Sequence, residues 1–287
     1  MRVQVPLQVQ KNNPIPTTMI KTVVTLTTIP PRLSSPNKDN IQSCIASLLD
    51  QDYLGVYEVH LNIPSVFKYQ NIPYIRPDWV KELAGRDKRF KYFDNLEDLG
   101  PITKVYYTVH RLTDPEDIII VCDDDLVYHR SMISQQVTNQ IKYDNTAVGY
   151  DGNQGEGNPF DDDLRNYKIV STYKNVYVNT LQHYKTVSYK RKFFKEDFNL
   201  EFVTISYNDD IVMSAYMGKH GIKRMVTSYA HEPALIDNNE WKEKGGATTF
   251  PVIKHTAHGG VEEGCWLYRI DKVDENMKYF VNLGYLK

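Results

Sequence analysis

Thr22-Val23-Val24-Thr25-Leu26-Thr27 is β-branched and almost continuously apolar, the pattern of a buried strand. Ile29-Pro30-Pro31-Arg32 ends it, because two prolines cannot continue a ladder. From Asn40 to Leu49, the residues Ile41, Cys44, Ile45, Leu48 and Leu49 fall at helical spacing behind Asp39 as cap. Tyr57 to Ile63 alternates as a second strand, and Lys91 to Phe93 marks a short third. Asp98-Leu99-Gly100-Pro101-Ile102-Thr103-Lys104 reads as a turn opening a helix, with Pro101 near its first position and Tyr106, Val109, His110 and Leu112 following. A turn over Thr113-Asp114-Pro115-Glu116-Asp117 feeds Ile118-Ile119-Ile120-Val121-Cys122, the most strand-like run in the chain. Strands alternating with helices over the first 130 residues predict a parallel α/β sheet.

Farther along, residues 150–167 are rich in Gly, Asn and Asp and predict a long loop. Val176 to Leu181 and Thr186 to Tyr189 read as strands, and Asp209 to Lys219 as a helix with Ile211, Val212, Ala215 and Tyr216 on one side. Residues 1–20, with Pro6, Pro14 and Pro16, read as an extended arm, and the tail from residue 230 is mixed, with Gly245-Gly246 and Gly259-Gly260.

Composition narrows the function. The 287 residues are 41% hydrophobic and 24% charged, as in a soluble globular protein. Lys and Arg number 34 against 36 Asp and Glu, a formal charge of −2, which gives no basic footprint for nucleic acid. No apolar run approaches the ~20 residues of a membrane span. The 21 tyrosines argue against a solvated, disordered chain. Cys44, Cys122 and Cys265 are far apart and odd in number, which speaks against a disulfide framework or a zinc site. Met1 to Lys21 is polar and lacks the apolar stretch of a signal peptide, and no Asn-x-Ser/Thr sequon occurs, so a cytosolic protein is expected.

Four clusters can carry chemistry. Asp123-Asp124-Asp125 directly follows the strand at 118–122, where open parallel sheets bind ligands. Three carboxylates are costly to hold together unless a positive group shares them, and Mg²⁺ or Mn²⁺ suits such oxygens; a solvated acidic turn is the plainer reading. Asn208-Asp209-Asp210 opens the helical pattern at 209, as a cap with favourable charge or as the source of a general base. Lys104, one turn past Gly100, reads either as solvated or as a point charge for a phosphate. Thr27-Thr28-Ile29-Pro30-Pro31-Arg32 sets a hydroxyl and a guanidinium at the end of the first strand, a weak nucleotide signal. His231, His255 and His258 lie in the tail as structural residues, metal ligands or acceptor contacts. Gly152, Gly155 and Gly157 form no dinucleotide fingerprint. Tyr173, Tyr177, Tyr184 and Tyr189 either stack on sugars or pack in the core and its rim.

In order, Leu-Thr-Thr-Ile-Pro-Pro-Arg (26–32), Asp-Leu-Gly-Pro-Ile-Thr-Lys (98–104), Ile-Ile-Val-Cys-Asp-Asp-Asp-Leu-Val-Tyr (119–128), Phe193-Phe194, and Asn-Asp-Asp (208–210) with Gly221 downstream resemble a GT-A-type glycosyltransferase. The resemblance spans about residues 21–225 and is closest to the small soluble glycosyltransferases of large algal (chlorella-type) viruses, which build capsid glycans. It implies an α/β, Rossmann-like GT-A fold with a mixed, mostly parallel central sheet flanked by helices. It also implies one domain over 1–287, with a nucleotide-sugar-binding half at 21–130 and an acceptor-binding half with the C-terminal tail at 131–287. The implied activity is metal-dependent transfer of a hexosyl or pentosyl group from a nucleoside-diphosphate sugar, a UDP-sugar first, to a glycan hydroxyl with inversion. Xylose, glucose and rhamnose stay open, and the implied acceptor is an N-glycan of a capsid protein.

Residue by residue, the resemblance implies that Thr27, Pro30, Arg32, Asp98, Lys104, Asp123 and Asp124 shape the nucleotide site. Asp123 and Asp125 would hold Mn²⁺ or Mg²⁺, and His255 is the candidate for the family's late metal-ligating histidine, with His231 and His258 competing. Asp210 would activate the acceptor, and Asp209, standing where a Glu is more usual, competes with it. The rival readings are another metal-dependent nucleotidyl or phosphoryl enzyme, and a non-catalytic glycan-binding protein on the same scaffold.

Overall fold

The structure, a computed structural model, describes residues 20–34, 41–68, 70–154, 168–170, 175–205, 208–229, 234–235 and 279–286. The expected arm up to residue 19, Asp39, most of the 150–167 loop, Tyr173, Cys265, the tail glycines, and His231, His255 and His258 lie outside the described residues.

Eight strands build the main sheet: β1 (Thr22–Thr27), β2 (Tyr57–Pro64), β3 (Phe90–Leu96), β4 (Ile118–Val121), β5 (Thr146–Gly149), β6 (Val176–Tyr177), β7 (Val187–Lys190) and β8 (Lys223–Val226). Their order is β6-β8-β5-β7-β4-β1-β2-β3. β4, β1, β2 and β3 pair in parallel, with Val24 beside both Val59 and Ile120. β7 runs antiparallel between β4 and β5, β8 is parallel to β5, and β6 is antiparallel to β8. The expected α/β architecture, a mixed and mostly parallel sheet flanked by helices, is therefore the one the chain adopts.

The helices are α1 (Pro30–Ser34), α2 (Ile41–Leu49), α3 (Asp78–Arg86), α4 (Thr103–Arg111), α5 (Met132–Lys142), α6 (Leu200–Val203) and α7 (Asp209–Lys219). Successive strand residues point to opposite faces, so the continuous apolar runs feed two cores. Val23, Ile119 and Val121 pack with Val105 and Val109 of α4 and Met213 and Tyr216 of α7. Val24, Leu26, Ile118 and Ile120 pack with Ile41, Ile45 and Leu48 of α2, Val80 of α3 and Ile133 of α5.

Gly218 near the end of α7 marks a tight crossing: a Cβ there would lie 1.7 Å from the Tyr285 carbonyl oxygen, so only glycine lets residues 279–286 close onto the helix. Phe280 is fully buried in this crossing and packs on Phe202, their ring centroids 5.8 Å apart.

Some expectations need correction. The third strand runs from Phe90 to Leu96 rather than only 91–93. The strand expected over 176–181 is two short strands in different sheets, because Val178 N–H bonds Arg224 O at 3.0 Å while Asn179 N–H turns to Asn153 O at 2.9 Å. Within the expected 150–167 loop, Gly152–Gln154 is a strand pairing with Thr180–Leu181 and Lys168–Val170.

One buried histidine in β2 makes stability depend on pH. His60 Nε2 lies 2.8 Å from Glu58, its ring meets Phe93 edge-on, and its Nδ1 is buried with no hydrogen-bond partner among the described residues. Burial holds its pKa down to about 4, with Glu58 only partly opposing it. The unfolded chain binds that proton near pH ~6.5 and the folded one resists it, so stability present at neutral pH is lost as pH falls from ~6.5 toward ~4, by up to ~3 kcal/mol. Urea denaturation at pH 7, 5.5 and 4.5 reads this slope. His60→Gln should flatten it, and an unaltered slope would assign the effect to other groups.

Candidate active site

The strand order reverses between β1 and β4: the chain runs outward from β1 to β2 and β3, then returns to the other side of β1 as β4. In open α/β sheets ligands bind beyond the carboxyl ends of the strands at such a point. The segments leaving β1 and β4 are tied together there. The Thr28 hydroxyl donates to Asp124 Oδ2 at 2.5 Å, and Arg32 of α1 bonds Asp124 Oδ1 and reaches Asp125 Oδ2 at 3.3 Å. Asp124 thus spends both oxygens on joining the two loops. The side chains of Asp123, Asp124 and Asp125 are 31%, 6% and 14% exposed, so the triplet is no solvated turn.

Lys104 enters from the other side. The Asp98 carboxylate accepts from Lys68 N–H at 3.0 Å and Gly100 N–H at 2.8 Å, shaping the turn that starts α4, and Leu99 N–H bonds Thr103 Oγ1 at 3.0 Å. The first turn of α4 is docked on the sheet by Thr25, whose hydroxyl donates to Lys104 O at 2.5 Å, and by Asn62, whose amide donates to Thr25 Oγ1 at 3.0 Å. That fixes the Lys104 stem, and its buried ammonium bridges Asp123 at 2.5 Å and Asp209 at 3.0 Å. It is therefore not the solvated lysine of the plainer reading. Burial pulls its pKa down, but the two carboxylates outweigh burial and hold it above the ordinary lysine value.

The third wall is the start of α7. Asn208 is its cap, the side chain accepting from Ile211 N–H at 3.1 Å, so neither Asp209 nor Asp210 is needed for capping. Asp209 is buried on Lys104. Burial pushes its pKa up, but Lys104 and His183 bring it below the usual carboxylate range. Asp210 is more open, its side chain 28% exposed. Burial raises its pKa, a hydrogen bond from His183 opposes this, and the neighbouring Asp209 adds to the rise, leaving it above the ordinary value.

His183 completes the cluster. It sits between the strand at 180–181 and β7, and because β7 runs antiparallel its entry lies at the same edge as the exits of β1 and β4. Its Nδ1 lies 2.8 Å from Asp210 Oδ1 and 3.3 Å from Asp209 Oδ2.

The structure thus brings Arg32, Lys104, Asp123, Asp124, Asp125, Asp209 and Asp210 into one cluster. Thr27 and Pro30 stand at its edge: the Thr27 hydroxyl is spent on Asn62 O at 2.9 Å, and Pro30 is buried at the start of α1. Asp98 supports Lys104 through the turn. Sequence reasoning passed over Thr28, which lies inside the quoted motif, and His183, which no local spacing marks. A cleft of about 320 Å³, lined by Glu201, Phe202, Lys219 and Tyr285 among others, lies at the far end of α7 from these acids.

Within the cluster five carboxylates face two permanent cations, Arg32 and Lys104. Burial pushes the Asp125 pKa up to about 6, against Arg32 and with help from Asp124 and Asp123. This surplus of hard oxygen donors has the chemistry that suits a divalent cation of the Mg²⁺ or Mn²⁺ kind. His183, Asp209 and Asp210 also bring ligand atoms within 4.8 Å of one another, but Lys104 and the His183–Asp210 hydrogen bond already occupy that trio.

No protein-family profile and no curated protein matches the sequence. Solved structures with a similar fold include residues 1–349 of TarS from S. aureus, at 14% identity and TM-score 0.46, covering 75% of this chain and 60% of that one. TarS in complex with UDP-GlcNAc gives 13% identity and TM-score 0.48 over 75% and 58% of the two chains. The mannosyltransferase PcManGT from Pyrobaculum calidifontis, in complex with GDP-Man and Mn²⁺, gives 15% identity and TM-score 0.46 over 74% and 54%. The chain spans between about half and three fifths of the length of these proteins.

Proposed function

We propose that this chain is a metal-dependent glycosyltransferase of the GT-A type. It moves a hexosyl or pentosyl group from a nucleoside-diphosphate sugar, a UDP-sugar first, to a glycan hydroxyl with inversion. The observation that carries the reading is the acid triplet at the end of β4, clamped to the β1 exit by Thr28 and Arg32 and joined through Lys104 to a second pair of acids on α7. That arrangement offers a net-negative cradle for a cation beside a diphosphate, and an accessible carboxylate across from it. Among the described residues no helix is long and apolar enough to cross a membrane. The ordered motifs resembling the algal-virus enzymes support the finer choices: a donor half at 21–130, an acceptor half at 131–287, and a capsid N-glycan as acceptor.

A divalent cation at Asp123 and Asp125, when bound, supplies Lewis-acid offset for charge on the departing diphosphate. The chain's own residues do the rest. Arg32 and Lys104 hold the acids in register before any ligand arrives. Asp210, with its pKa raised above the carboxylate norm, takes the proton of the attacking hydroxyl. Asp209, held charged by Lys104, is the poorer proton acceptor of the two.

Thermal shift against a panel of nucleotide sugars, with and without Mn²⁺, tests this. A ligand at 100-fold over its Kd adds about 2.7 kcal/mol to stability. A Mn²⁺-dependent gain is expected with at least one uridine-diphosphate sugar, and Asp125→Asn should abolish that gain. Turnover should release nucleoside diphosphate. Release of pyrophosphate or monophosphate would replace the reading with a nucleotidyl or phosphoryl enzyme, and sugar binding indifferent to metal and nucleotide would replace it with a glycan-binding protein.

A further inference from the structure

The proton-accepting reading of Asp210 leaves open which oxygen accepts and what aims it. Asp210 Oδ1 takes two contacts from one residue: the main-chain N–H of His183 at 2.7 Å and the His183 ring Nδ1 at 2.8 Å. Oδ2 has no hydrogen-bond partner among the described residues, and the side chain is part-exposed, so Oδ2 is the oxygen that faces outward.

Hydrogen-bond direction follows from valence. Asp210 must be ionised to take a proton, and an ionised carboxylate only accepts, so Oδ1 accepts both from the main-chain N–H and from its second partner. Nδ1 of His183 therefore carries hydrogen. The other ring nitrogen, Nε2, lies 2.8 Å from the Tyr189 hydroxyl. Tyr189 belongs to β7 and is 1% exposed, and its hydroxyl has His183 as its partner among the described residues. Burial, with Asp210 and Asp209 nearby, raises its pKa well above the ordinary tyrosine value, so it keeps the hydrogen it can donate to Nε2. A ring that donates from Nδ1 to Asp210 and meets the Tyr189 hydroxyl at Nε2 satisfies both contacts at once. The arrangement is rigid at each link: His183 is 1% exposed, Tyr189 is fixed in the sheet, and the Asp210 backbone is the first turn of a capped helix.

The geometry points to a buried Tyr189–His183–Asp210 chain in which His183 is a positioning residue, holding Asp210 so that Oδ2 alone receives the proton of the acceptor hydroxyl. In the transfer step the acceptor oxygen forms its bond to the anomeric carbon. The bond from that carbon to the diphosphate oxygen breaks with its electron pair leaving on the nucleoside diphosphate, and the hydroxyl proton goes to Asp210 Oδ2. His183 keeps its hydrogen throughout, and Tyr189 keeps it in the Nδ1–H form.

This inference rests on the glycosyltransferase reading for its consequence but not for its geometry, and two measurements separate the failures. First, two-dimensional ¹H–¹⁵N spectra of the full chain with labelled histidine report the tautomer of His183 without any substrate. The Nδ1–H form is expected, and Tyr189→Phe should weaken it. A predominantly Nε2–H ring would overturn the inference whatever the enzyme does. Second, nucleoside-diphosphate release from UDP-glucose, UDP-xylose and UDP-rhamnose with Mn²⁺ is measured, with water or added methyl glycosides as acceptor. His183→Gln, which keeps no donor at the Nδ1 position, should lower kcat ~10²-fold with donor KM within ~2-fold, the scale of a misplaced catalytic group. His183→Asn, whose amide N–H falls where Nδ1–H was, should recover about a tenth or more of the lost rate. Equal loss in both variants, with both still folded by thermal melting, would mean that His183 only fills space. A wild-type chain inert toward all three donors, with the Nδ1–H tautomer intact, would defeat the function proposed above while leaving the hydrogen-bonded chain standing.

Discussion

Asp210→Asn is expected to lower sugar transfer by ~10²–10⁴-fold while Mn²⁺-dependent donor binding, read by thermal shift, stays within ~2-fold of wild type. The size follows from removing a positioned base. The selectivity follows from where the residue stands: Asp210 contacts His183, whereas the acids that lean on Arg32 and Lys104 are Asp123, Asp124, Asp125 and Asp209. Asn keeps the shape and still offers a carbonyl oxygen to the two His183 donors. Asp209→Asn should behave differently, costing stability before it costs chemistry, because that carboxylate is buried against an ammonium. Turnover by Asp210→Asn within ~3-fold of wild type would move the base role to Asp209.

The second large effect concerns folding. Lys104→Met keeps most of the side-chain volume and removes the charge that Asp123 and Asp209 share. Breaking a buried pair from one side leaves uncompensated carboxylates and costs ~3–5 kcal/mol. Denaturant titration at pH 7 should show that loss. The sign with pH is fixed by Asp209, whose pKa in the folded protein lies below its unfolded value. Its contribution is present above the unfolded carboxylate value and fades as pH falls through the lower folded one, so the gap between wild type and variant should narrow toward pH ~3. A loss under ~1 kcal/mol at pH 7 would mean that Lys104 is solvated rather than locked between the acids.

The parts of this fold that could be read from sequence are those whose burial is one-sided in composition. β1 and β4 are buried on both faces and carry almost nothing but β-branched and aliphatic residues, so period and propensity agree. α7 was readable because a capping residue and a run of apolar positions coincide at Asn208 to Met217. α5 escaped because its buried face mixes amides with apolar residues: Gln136 and Gln140 are fully buried beside Met132, Ile133 and Val137, Gln140 donating to Thr146 O at 2.9 Å and the Ser188 hydroxyl to Gln136 at 2.8 Å. Two amides among its inward positions blur the hydrophobic period. β5 and β8 span four residues each, too few for any period to stand out.

The site divides the same way. The acids could be singled out because three in a row after an apolar strand is unusual. Arg32 and Lys104 were placed beside the acids by the ordered motifs, but their ion pairs and the whole role of His183 were not legible, because these side chains come from separate loops and helices that only the sheet order brings together. The surplus negative charge was legible as a problem, and the answer turned out to be shared between protein cations and a remaining deficit.

The tight crossing at Gly218 bears on this charge cluster from a distance. α7 is gripped at one end by Lys104 and His183 and at the other by the carbonyl of Tyr285 lodged where a side chain would otherwise stand. A rod splinted at both ends can neither roll nor slide. The carboxylates it carries are therefore aimed before any sugar arrives, and the reorganisation that water would demand during bond exchange has already been met by the folding of the chain.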